Sequence, residues 1–263
     1  MANPSMYCTE LDAIVFTTSG GDDASYPVTN LNTYIVEKYW KSANNTNGQS
    51  LVLDAAVVGL GSANKNYIII EAHNFDSIEG GGGRVRIQHA NNSGFTSATT
   101  LYDSQVAQPL AQVLSFNSTS QRYFRVLFDN CASLVPQIGR IFLGLALDIP
   151  FPYDNPSKPG NRGYSTAIST SLNGLQRGSQ AYGGRKRWDL AWSGQKGGLS
   201  AATRTSWISF FKVVRGRLLP FYFLDTDQTL HFVRLGIDVD PNQIFRNNVN
   251  DFPGIILESQ TVS

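Results

Sequence analysis

The chain is predicted to be mainly β, with an antiparallel sandwich in its N-terminal half and a β-rich C-terminal domain that carries one amphipathic helix. Three observations predict this. Short apolar runs alternate with polar residues at a two-residue period, between loops rich in Gly, Asn and Asp. Aromatic residues make up 11% of the 263 residues and charged residues only 16%, with 24 glycines, a balance that favours strands and turns over exposed helices. A single segment, beginning at Ser200, repeats its apolar residues at a helical period.

Residues 1 to about 28 read as an extended leader with an apolar patch at Ala13 to Phe16 and a flexible turn at Ser19-Gly20-Gly21-Asp22-Asp23. It is expected either to pair with a neighbouring subunit or to form the first strand of its own domain. Strands are predicted at Leu51 to Leu53, Tyr67 to Glu71, Arg84 to His89, Arg122 to Phe128 and Ile138 to Leu147. In these, Val85, Ile87 and His89 oppose Arg84, Arg86 and Gln88, while Phe124, Val126 and Phe128 oppose Arg122 and Arg125. Ile141, Leu143, Leu145 and Leu147 are expected to share one face. The N-terminal sandwich with its extension is placed at 1–149. Pro150, Pro152, Pro156 and Pro159 then mark 150–163 as a linker, since proline cannot donate to a ladder.

The C-terminal domain, 164–263, begins with β-formers from Tyr164 to Leu175, followed by a loop from Gln176 to Gly184. Trp188, Leu190 and Trp192 then alternate with Arg187, Asp189 and Ala191, which gives a half-buried strand an apolar face. The helix is predicted over 200–215. Ser200 serves as its N-cap, Trp207, Phe210, Phe211 and Val214 form one stripe, Lys212 and Arg215 sit in the last turn, and Gly216 supplies a left-handed C-terminal cap. Phe221 to Leu224 reads as a strand, Asp225-Thr226-Asp227-Gln228 as a turn, Thr229 to Leu235 as its return, and Ile255 to Leu257 as a last strand.

A formal net charge of +1 provides no basic excess for nucleic acid or an anionic membrane surface. Apolar runs are too short to cross a bilayer, and the first residues lack the pattern of a secretory signal. Cys8 and Cys131 are read as buried thiols, since two isolated cysteines make no disulfide framework. No cofactor or metal site is predicted. His73, His89 and His231 lack ligand spacing and read as a loop residue and two sheet residues. Asp225-Thr226-Asp227 resembles a paired-carboxylate cation site but reads as turn chemistry. Glu37, Asp54, Glu71 and Asp76 are scattered, with nothing to set an acid apart from a base, so no catalytic residue is predicted and the chain is expected not to be an enzyme. Gly80 to Gly83 lacks the Lys-Ser/Thr of a phosphate loop and leads into a strand. Arg185-Lys186-Arg187 reads as a solvated strand edge. Tyr39 and Trp40 are candidate glycan contacts, as is Tyr182 more weakly, although burial is the commoner fate of a tryptophan.

Two resemblances follow from these residues. Asn30-Leu31, Trp40-Lys41-Ser42, Leu53-Asp54, His73-Asn74, Arg84-Val85-Arg86-Ile87 and Arg122-Tyr123-Phe124-Arg125-Val126 resemble the galactose-binding-like, or discoidin-like, domains over about 28–148. That resemblance implies a jelly-roll sandwich, often carbohydrate-binding, and transfers no binding residue. Arg187-Trp188-Asp189-Leu190, Leu199, Trp207, Phe210-Phe211, Arg215-Gly216 and Pro220-Phe221 through Phe223 to Asp225 are similar to the tail-tip proteins of long-tailed phages, including distal and minor tail proteins. This implies a structural component of a virion tail tip or baseplate, made in the host cytoplasm, whose partners are a ring of its own copies and other tail proteins. Trp188, Trp192, Trp207, Phe210, Phe211, Phe221 and Phe223 are then the expected core of the assembly domain. The rival expectations are a free carbohydrate-binding module or adhesin and, behind it, a glycan-cleaving enzyme.

Overall fold

A computed structural model describes residues 3–35, 37–46, 48–56, 64–74, 84–105, 111–129, 134–149, 160–162, 165–170, 176–182, 185–190, 200–216, 218–236 and 255–259. Side chains are described at all of these except 105, 160–162, 165–170, 176–182, 185–187 and 189. The chain forms two compact units: unit 1 comprises the residues up to Met6 and those from Asp148 onward, and unit 2 runs from Tyr7 to Leu147.

Unit 2 is a β-sandwich. Its larger sheet orders the strands Val15–Thr18, Gln49–Asp54, Tyr123–Asp129, Arg84–Ala90 and Thr99–Gln105, each antiparallel to its neighbours. The smaller sheet orders Arg140–Gly144, Lys65–Glu71 and Gln112–Thr119. Alternation in the sequence decides what lies between them. Leu51, Leu53, Val85, Ile87, Phe124, Val126 and Phe128 from the larger sheet meet Ile68, Ile70, Leu114, Ile141 and Leu143 from the smaller one in a single buried cluster. The opposite face of the larger sheet is polar, with Arg86 paired to Asp129 and Arg122 to Asp54.

The strands Arg140–Gly144 and Lys65–Glu71 of the smaller sheet are buried on both faces, because the N-terminal segment straps their outer side. Tyr67 donates its hydroxyl to the Cys8 carbonyl at 2.7 Å, Thr9 donates to the Leu143 carbonyl at 2.9 Å, and Tyr34 donates to the Thr9 carbonyl at 2.7 Å. A side chain at Gly144 would press to 3.0 Å from the Tyr67 hydroxyl and 3.2 Å from the Cys8 carbonyl, so the strap lies close only over glycine. Burial pushes the Tyr67 phenol well above its usual range. Two charged groups are also enclosed. Arg140, 1% exposed, is paired with Glu71 and donates to the Tyr34 carbonyl at 3.2 Å. Lys65 gives its ammonium to the carbonyls of Ala56 at 3.3 Å and Gln121 at 3.1 Å, and burial pulls it down to about 8 against an opposing pull from Asp54.

A seven-stranded sheet, built from unit 1 apart from the end residues Tyr7 and Leu147, has the order Leu147–Asp148, Ser5–Tyr7, Phe221–Leu224, Leu230–Leu235, Ile255–Ser259, Arg185–Leu190 and Gly160–Arg162. Ala201–Val213 is the helix of unit 1. Ser200 caps it, accepting the Thr203 amide at 3.1 Å. At the other end, Arg215 donates to the Lys212 carbonyl and Gly216 to the Phe211 carbonyl, the paired bonds of a Schellman motif. The predicted glycine is left-handed at φ 64°, but the first left-handed residue is Arg215 at φ 50°. Trp207, Phe210, Phe211 and Val214 are all buried, as the stripe predicts, and Phe210 meets Phe221 edge to face at 4.9 Å. Trp188 meets Phe223 at 6.4 Å in the same way.

Several expectations are corrected. Of the two expectations for the N-terminal leader, a strand of its own domain is met by Val15–Thr18 at an edge of the sandwich, but Ser5–Tyr7 is in addition a strand of the seven-stranded sheet. The run from Ile138 to Leu147 is three strands, not one. Gln137–Ile138 pairs with Trp40–Lys41, Arg140–Gly144 with Lys65–Glu71, and Leu147–Asp148 joins the seven-stranded sheet. Its common face therefore stops at Leu143, with Leu145 only half-buried. Gln176–Tyr182, expected as a loop, pairs with Ser165–Thr170 in a two-stranded ribbon, which needs backbone partners but no apolar face. Gly160–Arg162, expected as linker, pairs with Arg185–Arg187, so the basic run is not an edge. Cys8 is buried, and Cys131, Trp192, Gly80 to Gly83, Asp76 and the four linker prolines lie outside the described residues.

Candidate functional site

The predicted glycan contacts lie in unit 2, in the corner formed by residues 18–42. The turn expected to be flexible is tied by Asp22: its carboxylate accepts from the Thr18 hydroxyl at 2.8 Å, the Trp40 indole at 3.0 Å and the Val28 amide at 2.9 Å. Gly21, at φ 79°, lets the chain turn there. Trp40 is 1% exposed and packs at 5.8 Å from Phe128, so it presents no face to a ligand and is removed from the glycan contacts. Its apolar body belongs to the core, and Asp22 satisfies its one polar atom.

Tyr39 is different. It is half-buried, its carbonyl accepts from the Asn30 amide group at 2.9 Å, and its ring stacks on Tyr26 at 4.3 Å with 15° between the planes. A side-chain hydrogen bond to Tyr26, ahead of desolvation, holds the Tyr39 phenol above its usual range. Lys41 lies 5.8 Å from the Tyr26 ring centre and pairs with Asp23 at 3.4 Å. Backbone bonds from Lys41 to the Tyr26 carbonyl at 3.1 Å and from Asp23 to the Lys41 carbonyl at 3.0 Å fix the four side chains on one patch. Chemically this is an aromatic platform rimmed by hydroxyls, an ammonium and a carboxylate. Such a surface packs the C–H face of a polyol while bonding its hydroxyls.

A second feature appears where the core reaches the sheet edge. Phe16, Leu53, Phe124, His89 and Thr99 stand in one row across the larger sheet. The first three are buried, His89 is half-buried and Thr99 is exposed. A cavity of about 520 Å³ opens there, lined by His89, Thr99, Thr100, Phe116 and Thr119 among others. Its walls come from the edge strands Thr99–Gln105 and Gln112–Thr119, neither of which was predicted, because both carry hydroxyls and amides at positions where core strands carry apolar residues.

Unit 1 brings Asp225, Asp227 and His231 together, with one ligand atom from each within 4.8 Å of the others. Such a spacing suits a divalent cation, but both carboxylates serve the hairpin turn. Asp225 accepts the Thr226 amide at 2.6 Å, and Asp227 accepts the Thr229 amide at 2.9 Å, the bond that chiefly holds the Asp227 carboxyl below its usual range. No metal is assigned. Of the carboxylates weighed for glycan cleavage, Asp54 and Glu71 are held by Arg122 and Arg140, and Glu37 is exposed. Trp188, Trp207, Phe210, Phe211, Phe221 and Phe223 are buried in unit 1, while Trp192 and the Tyr182 side chain lie outside what is described. Among the described residues no helix is long and apolar enough to cross a membrane.

No family model matches the chain, and no curated protein matches it. Solved structures do. Chitosan-binding module 1 of a chitosanase/glucanase from Paenibacillus sp. IK-5 is 17% identical over 50% of this chain and 94% of its own, with a TM-score of 0.40. Module 2 of the same enzyme, in complex with chitotriose, is 15% identical over 50% of this chain and 96% of its own, with a TM-score of 0.41. A family 32 carbohydrate-binding module from Clostridium perfringens, in complex with GalNAc-β-1,3-galactose, is 12% identical over 51% of this chain and 97% of its own, with a TM-score of 0.40. No residue role is carried over from them.

Proposed function

We propose that this chain is a non-catalytic binding protein in which unit 2 recognises carbohydrate. The observation that carries this reading is the half-exposed Tyr39, stacked on Tyr26 beside the Asp23–Lys41 pair on a rigid sandwich. Four backbone-anchored side chains there offer a flat ring and both signs of hydrogen-bonding partner, with little to order when a sugar arrives. A glycan array probed with the intact chain tests it. Binding to a defined glycan that Tyr39→Ala weakens about tenfold or more, with unchanged thermal unfolding, is expected. An array without a hit would end the reading.

The setting we propose is the tail tip or baseplate of a long-tailed phage, with unit 1 as the assembly domain of a symmetric ring. One observation favours it over a free module or adhesin. The described residues of the tail-tip-like pattern serve one local structure, with Trp207, Phe210 and Phe211 packed together, Phe210 against Phe221, and Arg215-Gly216 closing the helix. A chain whose whole function is glycan affinity has no need of this second unit. Purified virions are expected to contain the chain as a ring of copies; virions that lack it would end this part and leave the free module standing.

A further inference from the structure

We propose that the seam between the edge strands Thr99–Gln105 and Gln112–Thr119 is a second saccharide subsite, selective for uncharged sugars. This inference rests on the carbohydrate reading above and extends it to a different part of the sandwich. The cavity of about 520 Å³ is large enough for one or two sugar rings. Among the described residues lining it none is an acid, a lysine or an arginine; the polar ones are His89, Thr99, Thr100, Asn117, Ser118 and Thr119. Burial lowers the His89 pKa, which favours the neutral ring.

Its polar groups are held by the protein in ways that leave capacity for a ligand. Thr119 shares a hydrogen bond with His89 Nδ1 at 3.2 Å, and Nε2 has no described protein partner. Arg125 donates to Gln88 Oε1 at 2.8 Å and Gln88 Nε2 donates to Thr100 Oγ1 at 3.0 Å, a relay across three strands. Gln88 and Arg125 lie on the polar face opposite His89, so this relay braces the strand that carries Thr99 from behind the groove. A register shift between Ile87 and Gln88 places Leu101 opposite no partner, the kind of bulge that re-aims a strand beside a binding surface. Phe116, half-buried and 6.0 Å from Phe124, supplies the apolar wall for the C–H face of a ring.

Amide chemical-shift mapping of the intact chain tests this, using cellotriose, maltotriose and chitotriose as neutral probes and trigalacturonate as the charged one. The expected result is that a neutral trisaccharide shifts the amides of His89, Thr99, Thr100 and Asn117. Phe116→Ala is expected to abolish those shifts and Thr99→Val to weaken them about threefold, both leaving shifts at Tyr26 and Tyr39 intact. Shifts confined to Tyr26 and Tyr39 would overturn the second subsite and leave the carbohydrate reading standing. Groove shifts that both variants preserve would also overturn it, and trigalacturonate acting as strongly as the neutral probes would overturn its selectivity. No shift with any saccharide would remove both readings.

Discussion

In unit 1, Trp207, Phe210, Phe211 and Phe221 meet at tilted or edge-to-face angles, their ring centres 4.9 to 6.2 Å apart, and every one of them is buried. In unit 2, Tyr26 and Tyr39 stack nearly parallel at 4.3 Å and stay half-exposed beside an ion pair. The first arrangement closes on itself, because largely apolar rings gain most by excluding water. The second ends in hydroxyls, which keep their water or exchange it for a ligand. The neighbours Tyr39 and Trp40 draw the same contrast within one dipeptide: Asp22 accepts the indole N–H hydrogen bond, so the tryptophan can go inward while the tyrosine stays at the surface.

The largest effect expected from this contrast is at Trp207. Truncation to alanine empties a fully buried site and is expected to cost about 3–5 kcal/mol, read as a lowered denaturant midpoint of unit 1. A loss below about 1 kcal/mol would mean that the cluster is not a packed core.

Next comes Lys65, an enclosed charge in unit 2. Its folded pKa of about 8 lies below the ordinary 10.5, so between those values the unfolded chain binds more protons and stability rises with pH. Unfolding free energy is expected to increase by about 2 kcal/mol from pH 8 to pH 10 relative to Lys65→Met. Equal pH slopes in the two proteins would contradict the burial of that ammonium.

A smaller effect is expected at the helix start. Ser200→Ala removes the acceptor of the Thr203 amide and is expected to cost about 1 kcal/mol, with Ser200→Asp retaining most of the stability. Chemical denaturation of the three proteins checks the order, and an unaffected alanine variant would show that the cap is not used.

These residues also show what a sequence can disclose. The helix was legible from Ser200 to Gly216, because cap, stripe and glycine agree with one another. Val85, Ile87, Phe124 and Val126 were legible because strict alternation has one physical outcome beside a core. The ribbon strand Gln176–Tyr182 was not, since it pairs through its backbone and has no apolar periodicity. Nor was the seam cavity, whose edge strands Thr99–Gln105 and Gln112–Thr119 are rich in hydroxyls and read as loop. Of the candidate site, Tyr39 was named from its type alone. Its partner Tyr26 and the Asp22 hub are brought to it by a fold that joins residues 4 to 18 positions apart.

The smallest stability change and the most informative binding change are expected together at Tyr39. Tyr39→Ala removes a half-exposed ring and should alter unfolding by about 0.5 kcal/mol or less. The measurement that tests the central claim most directly is calorimetric titration of the intact chain and of this variant with a glycan selected from the array. The account predicts saturable binding by the native chain and an approximately tenfold or greater loss in the variant at unchanged stability. Equal affinity of the two proteins, or no binding by the native chain, would contradict it.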